Sequence, residues 1–342
     1  MEHVYKVGKT FALESGEELA DLQIAYHTYG TLNSRRDNII WVCHALTANS
    51  DVADWWPHTV ESGRFLDPSR YFIVCANVLG SHYGTTGPLS VNPKTGRAYY
   101  GDFPRFTIRD IVNAHRLLAE HLGISRVRMI IGSSLGGFQA MEWCIIDPDF
   151  AETAVLIATT PRTKPWAAAF NESQRMAIEC DSTFGDATPE GGMAGMAAAR
   201  SIALLSYRGG KAYDLTQDER EPQATPFERR VHGYQRHQGD KICRRFNAWS
   251  YYRLSQAVDS HDIGRGRGTV AEVLAGFKPR TMVIAIPSDI LFPPSDHQDF
   301  VDNIPDVSYM TIESEFGHDG FLIEHDKLNQ AITNFLTIND HA

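Results

Sequence analysis

The segment Met129-Ile130-Ile131-Gly132-Ser133-Ser134-Leu135-Gly136-Gly137-Phe138 runs as an apolar stretch into Gly-x-Ser-x-Gly and straight out into a helical pattern. A serine at the centre of such a strand-to-helix turn cannot lie against either flanking element. Its hydroxyl stands above the carboxyl edge of a sheet, where a nucleophile for acyl transfer belongs. That serine is Ser134. Gly132 and Gly136 are small because strand and helix pass closely there. The pattern alone recurs by chance, but residues 127–131 read as a buried strand, and Phe138, Met141 and Ile145 repeat at helical spacing until Asp147-Pro148 stops them. The competing reading is a glycine-rich turn with an incidental serine.

A serine hydroxyl is almost fully protonated at neutral pH, so it needs a base, and the base needs an acid to orient it. After a turn of this kind both follow in the chain, from the ends of later strands. The run Thr281-Met282-Val283-Ile284-Ala285-Ile286 empties into Pro287-Ser288-Asp289, which places Asp289 at the carboxyl edge as the acid. The strand expected over 307–312 leads into Gly317-His318-Asp319-Gly320, so His318 reaches the same edge as the base.

There are 14 histidines, so position must discriminate among them. His44 ends an early strand but precedes the serine, His325 falls in a closing amphipathic helix, and His27, His115 and His121 have ordinary strand or helix readings. Asp296 and Asp299 lie beyond Pro293-Pro294 rather than at a strand end.

The elements around these residues alternate. The stretch 19–28 partly alternates in polarity and suggests an antiparallel start; residues 39–43 and 71–78 are short apolar strands. Thr107-Ile108-Arg109-Asp110 has the form of a capping box before a helix whose apolar face runs from Ile108 to Leu122. Strand, helix, elbow strand and helix in succession imply a mostly parallel sheet covered on both faces, an α/β fold. After a strand at 154–157 the pattern lapses until Thr281. Helix-like stretches at 173–179, 193–207, 226–235 and 250–259 fill the gap and read as a helical lid over the active-site edge. The expected organisation is a core over 1–162, a lid over 163–276 and the rest of the core over 277–342.

Composition narrows the function classes. A chain of 342 residues with 43% hydrophobic content can bury a large core, and a formal charge of -10 argues against general nucleic-acid binding. Arg229-Arg230 and the 241–245 cluster read as solvated helix faces. The 5 cysteines are scattered, with no metal-ligand or redox pairing, which fits a reducing, cytoplasmic compartment. Residues 1–10 lack the apolar stretch of a secretory signal, and 192–205 is too short for a membrane span and contains Arg200. No metal or resident cofactor is expected.

Several motifs now fall into one pattern. Cys43-His44-Ala45-Leu46-Thr47, Ala76-Asn77-Val78-Leu79-Gly80, Thr86-Gly87-Pro88, Asn92-Pro93-Lys94-Thr95-Gly96 and Asp102-Phe103-Pro104, with the elbow and Gly317-His318-Asp319-Gly320-Phe321-Leu322, resemble the homoserine O-acetyltransferase family. The likeness covers nearly the whole chain. It implies an α/β-hydrolase fold with an inserted helical lid and acyl transfer from acetyl-CoA, as co-substrate, to the hydroxyl of L-homoserine, in methionine biosynthesis. It also implies a homodimer paired through the lid. The stretch Ala199-Arg200 to Tyr207-Arg208 is similar to the family's lid helix, in which the matching Arg and Tyr face the amino-acid carboxylate. Arg200 and Tyr207 are about two helical turns apart and can share one cavity. Asp319 matches the position that meets the substrate's amino end; otherwise it is a turn or helix N-cap aspartate. Two departures stand out: Ala48 where the family carries Gly, and Phe246-Asn247-Ala248-Trp249-Ser250-Tyr251 where it carries Phe-Asp-Ala-Asn-Ser-Tyr.

The implied chemistry is a ping-pong cycle through an acyl-serine, its oxyanion held by the backbone N–H groups of Leu46 and Leu135. A succinyl donor, a serine acceptor, or ester hydrolysis on the same scaffold stay open, because the triad alone does not choose among them. A catalytically silent binding protein would conflict with a complete triad.

Overall fold

The computed structural model describes residues 2–221 and 227–337. Its centre is an eight-stranded sheet ordered β1-β4-β6-β5-β9-β10-β11-β12. The members are β1 (Glu2–Lys6), β4 (Gln23–Tyr29), β5 (Ile39–Cys43), β6 (Phe72–Ala76), β9 (Val127–Ser133), β10 (Ala151–Ile157), β11 (Arg280–Ala285) and β12 (Val307–Thr311). Two short ribbons pair β2 (Phe11–Ala12) with β3 (Glu18–Leu19), and β7 (Val91–Asn92) with β8 (Arg97–Ala98). The antiparallel start therefore belongs to β1, β4 and β6; Leu19 lies in a separate ribbon rather than in the strand expected over 19–28. From β6 through β5 to β12 the sheet is parallel.

Continuous apolar strands arise because both sheet faces are covered. Within β5, Ile39, Trp41 and Cys43 face one layer while Ile40 and Val42 face the other, and β9 and β10 divide their residues the same way. One layer meets α2 (Ile108–His121) and α3 (Leu135–Ile146), with Ile111, Leu118, Phe138 and Trp143 in its core. The other packs Trp56, next to the short α1 (Val52–Trp55), with Phe65 and the closing helix His325–Thr337 through Leu328, Ile332 and Phe335. The start of α2 is fixed reciprocally: the Thr107 side chain accepts the Asp110 N–H at 3.3 Å, and the Asp110 carboxylate accepts the Thr107 N–H at 2.9 Å.

Between β10 and β11 the chain leaves the sheet and forms α4 (Pro165–Glu179), α5 (Met193–Gln217), α6 (Arg230–Cys243) and α7 (Ala248–Asp259). Helix α5 runs past the end expected at 207; Gly209, at φ 66°, kinks it instead of terminating it. Helix α6 begins later than expected, at Arg230, and part of the stretch expected as its start lies outside the described residues. Gly195 lets α5 press onto α4, where a Cβ would stand 2.6 Å from the Ile178 Cα.

Candidate active site

Ser134 sits between β9 and α3 at φ 55°, ψ −124°, a backbone conformation costly for any residue with a Cβ. The sequence around it makes that turn possible. A Cβ on Gly132 would lie 2.1 Å from the Gly136 carbonyl oxygen, and one on Gly136 would lie 2.0 Å from the Cys43 carbonyl oxygen. The strained turn is held by its own backbone: Ser134 N–H donates to Ile157 O at 3.0 Å, and Ser134 O accepts from the Thr159 hydroxyl at 3.0 Å. The Ser134 side chain makes no cap bond to the helix it precedes and is aimed outward.

The outward hydroxyl meets His318, whose Nε2 lies 2.8 Å from Ser134 Oγ. The other ring nitrogen, Nδ1, lies 2.7 Å from Asp289 Oδ2. Asp289 Oδ1 accepts the backbone N–H groups of Leu291 and Phe292 at 2.8 and 3.0 Å, so the loop after β11 holds the carboxylate by its far oxygen. Burial is the largest influence on His318 and works against its charged form. The charge and hydrogen bond of Asp289, with the charge of Asp319, outweigh it and raise the imidazole above its ordinary value.

His44, the main competitor for the base, is fully buried away from Ser134's hydroxyl chemistry. Its Nδ1 bonds the Ala45 carbonyl at 2.8 Å, and Nε2 accepts the Val78 N–H at 3.1 Å. Burial pushes it down to about 4, so it stays neutral, and its backbone carbonyl accepts from Gln139 Nε2 at 3.1 Å. His44 thus fixes the loop that follows β5, and that loop carries Leu46. Among the described residues, neither the Leu46 nor the Leu135 N–H donates to a backbone acceptor, and both residues border the space beside Ser134. Asp296 is engaged elsewhere, 2.7 Å from Lys164 Nζ.

A cavity of about 430 Å³ opens above the triad, lined by Ser134 and His318 below and by Arg200, Tyr207, Arg208 and Asp319 at one side. The Arg200 guanidinium lies over the Tyr207 ring at 5.5 Å, and no ion pair to it is formed among the described residues. The Tyr207 ring in turn stands 5.8 Å from the His318 ring. Burial raises the Tyr207 phenol, with Arg200's positive charge opposing. Asp319 is neither free nor a side-chain cap: Oδ2 pairs with Arg208 Nε at 3.1 Å.

Arg208 was missed from the sequence, although it lies eight residues after Arg200 on the same helix and its face was readable from that spacing. Arg245 was misread. Lys241 and Arg244 are exposed, as a solvated face requires, but Arg245 turns inward: it lines the cavity with Lys241 and donates to the Thr47 carbonyl, to Thr47 Oγ1 at 3.2 Å and to the Tyr83 hydroxyl at 3.0 Å. Nearby, Asn247 Nδ2 donates to His82 Nδ1 at 2.9 Å, so Arg245 and Asn247 both tie the helical segment between β10 and β11 to core loops. Nothing in local periodicity signals contacts of this range. No group of His, Cys, Asp and Glu suited to a metal occurs among the described residues.

Residues 38–324 match the model of the alpha/beta hydrolase fold family. Among curated relatives, the homoserine O-acetyltransferase of Cyclobacterium marinum is 42% identical over 339 residues, covering 99% of this chain and 96% of its own. That of Chlorobaculum tepidum is 41% identical, over 97% of this chain and 93% of its own. The crystal structure of homoserine O-acetyltransferase from Bacillus anthracis superposes with a TM-score of 0.90 at 26% identity, covering 98% of this chain and 97% of that one.

Proposed function

The chain belongs to the homoserine O-acetyltransferase family, on the α/β-hydrolase fold, and from that premise we propose a ping-pong cycle run by Ser134, His318 and Asp289. His318, oriented by Asp289, takes the Ser134 proton as Oγ attacks the thioester carbonyl of acetyl-CoA. The tetrahedral oxyanion is received by the Leu46 and Leu135 N–H groups, which are otherwise unclaimed by the backbone. CoA leaves with the proton, and an acetyl-serine remains. The homoserine hydroxyl then gives its proton to His318 and attacks the acetyl carbon, and Ser134 is regenerated as the O-acetyl ester departs.

The single observation that carries the transfer reading is the Arg200 guanidinium, which lines the cavity beside the triad without a carboxylate partner among the described residues. A buried or half-buried guanidinium is best satisfied by a planar carboxylate. The acceptor's α-carboxylate supplies one, with Tyr207 beside it. Asp319 takes the acceptor's ammonium group through the oxygen that Arg208 leaves open. An esterase for neutral substrates has no use for such anchors. Hydrolysis of the acetyl-serine is the competing fate, and a succinyl donor or a serine acceptor the competing substrates, because the triad itself serves all of them.

The lid helix α5 leaves Leu205 and Leu215 at least half exposed, apolar surface that favours pairing of two lids into a homodimer. No helix among the described residues is long and apolar enough to cross a membrane, and the free thiols of Cys43, Cys75 and Cys144, all buried, fit a cytoplasmic setting.

Incubating the purified protein with acetyl-CoA, and following CoA release with and without homoserine, tests this reading. Release that depends on homoserine supports it. Release at the same rate in its absence means hydrolysis, and no release means another donor.

A further inference from the structure

A second, much smaller void opens on Ser134. It measures about 20 Å³, and its walls include Leu135, Phe138, Ala167, Val258, Leu291 and Phe292. Roughly 10–15 Å³ of such space accommodates one water-sized group, so this void takes one small group and not a chain. Its walls are drawn from both parts of the protein: Leu135 and Phe138 from α3, Ala167 from α4, Val258 from α7, Leu291 and Phe292 from the loop after β11.

The stereochemistry of an acyl group on Ser134 gives this void a task. The acyl carbon bonded to Oγ carries three other substituents in the tetrahedral intermediate. Its oxygen goes to the Leu46 and Leu135 N–H groups. The departing sulfur and the incoming hydroxyl must stand where His318 Nε2, 2.8 Å from Ser134 Oγ, can hand over or take a proton, and that is the large cavity lined by His318 and Arg200. One direction is left for the acyl tail. The small void borders Ser134, and Leu46 and Leu135 line it as well.

The walls also decide charge. Among the side chains around the void no Lys, Arg or His occurs, and the Asn171 amide nitrogen is committed to Asp259 Oδ1 at 2.7 Å. Tyr207 adds a phenol to the walls but no charge, so a carboxylate at the end of an acyl tail would enter largely apolar surroundings with no cation to pair with, which is unfavourable whatever its length.

We propose that this void is the acyl-tail pocket, and that Ala167, Val258 and Leu291 restrict the transferred group to a short, uncharged acyl such as acetyl. This rests on the acyl-serine reading above and adds the residues that set acyl size. Phe292 is excluded from that role because its side chain touches the triad, the ring standing 5.3 Å from the His318 ring, whereas Leu291 meets Asp289 only through its backbone N–H, which a Leu291→Ala change keeps.

The test uses p-nitrophenyl acetate and butyrate, which report acylation of Ser134 through nitrophenolate release and need neither CoA nor homoserine. The wild-type protein should favour acetate over butyrate by about tenfold or more in kcat/KM, and Leu291→Ala and Val258→Ala should each cut that ratio by about tenfold. A wild-type ratio within about threefold of unity, or a ratio unchanged in both folded variants, overturns the proposal. Should neither variant fold, the wild-type ratio alone decides. The outcomes separate from the transferase reading. A preserved ester profile with no acetyl-CoA labelling of Ser134 leaves the pocket standing and removes the donor; labelling with a flat profile does the reverse.

Discussion

Asp289 divides its two oxygens, giving Oδ2 to His318 Nδ1 at 2.7 Å and keeping Oδ1 for two backbone N–H groups of its own loop. The imidazole is thereby held with Nε2 toward Ser134 and raised above its ordinary value of 6.5, even though burial, the largest single influence, pulls the other way. A general base works only when unprotonated. The acylation rate should therefore rise with pH along an acid limb centred above 6.5. Asp289→Asn removes the charge that raises the imidazole, so the limb should move to lower pH while the plateau falls by on the order of 10⁴. Pre-steady-state acylation across pH 5 to roughly 9 reads both; an unmoved limb would remove Asp289 from the orienting role.

The two half-reactions should respond to different residues. Ser134→Ala abolishes acetyl-enzyme formation. Arg200→Ala leaves acetylation by acetyl-CoA largely intact and slows transfer to homoserine by about ten- to a hundredfold, the worth of one charge-assisted contact of roughly 1.5–3 kcal/mol. Intact-protein mass spectrometry after acetyl-CoA addition, followed by a homoserine chase, measures each step. If the Arg200 variant lost its acetyl group as fast as the wild type, the acceptor role of Arg200 would be wrong.

Of the histidines depressed by burial, three fully buried ones weigh most on the acid stability. His44, His115 and His261 are buried and neutral, depressed to about 4, 3 and 3 by burial. Between their folded values and 6.5 the unfolded chain binds protons that the folded one refuses, so stability falls as pH falls through that window. Each contributes up to about 1.4 kcal/mol per pH unit, or about 4 kcal/mol per unit together, against a typical total of about 5–15 kcal/mol. His318 does not offset this: raised in the folded state, its contribution is fully present below 6.5 and is lost only as pH rises through its folded value. Urea unfolding should therefore show a much lower midpoint at about pH 5 than at about pH 7. Equal midpoints would mean that these rings are protonated in the native state.

Crowding at the elbow makes a steric prediction. Gly136→Ala forces a methyl to within 2.0 Å of the Cys43 carbonyl oxygen, between strand and helix backbones that cannot both give way. A loss of about 3 kcal/mol or more is expected. Gly185→Ala, where the added methyl meets nothing within 4 Å, serves as the control and should stay near wild type. Chemical denaturation of the two variants settles it, and a Gly136 variant as stable as its control would refute the close approach.

Local patterns carried much of this architecture. Apolar runs ending in small or polar residues marked the strand ends, and chain order along one sheet edge then singled out Ser134, Asp289 and His318, whose side chains form one hydrogen-bonded chain. Partnerships between distant residues were not legible. Arg245 reaches Thr47 across 198 positions, and Arg208 reaches Asp319 across 111. Such contacts depend on how the lid lies on the core, which no periodicity encodes. The length of α5 was illegible for a related reason: glycine usually ends a helix, but at Gly209 the chain resumes its helical path beyond the kink, with α5 packed against α4 and α6.

Ser134 and His318 meet across 184 positions, with every lid helix threaded between them. On a ribosome the nucleophile therefore emerges well before its base, and the strand that delivers His318 is the last of the sheet to be made. A growing chain carries an inert alcohol. Until β12 docks at the sheet's edge, His318 is not held against Ser134, so the proposed acyl chemistry waits for the finished sheet.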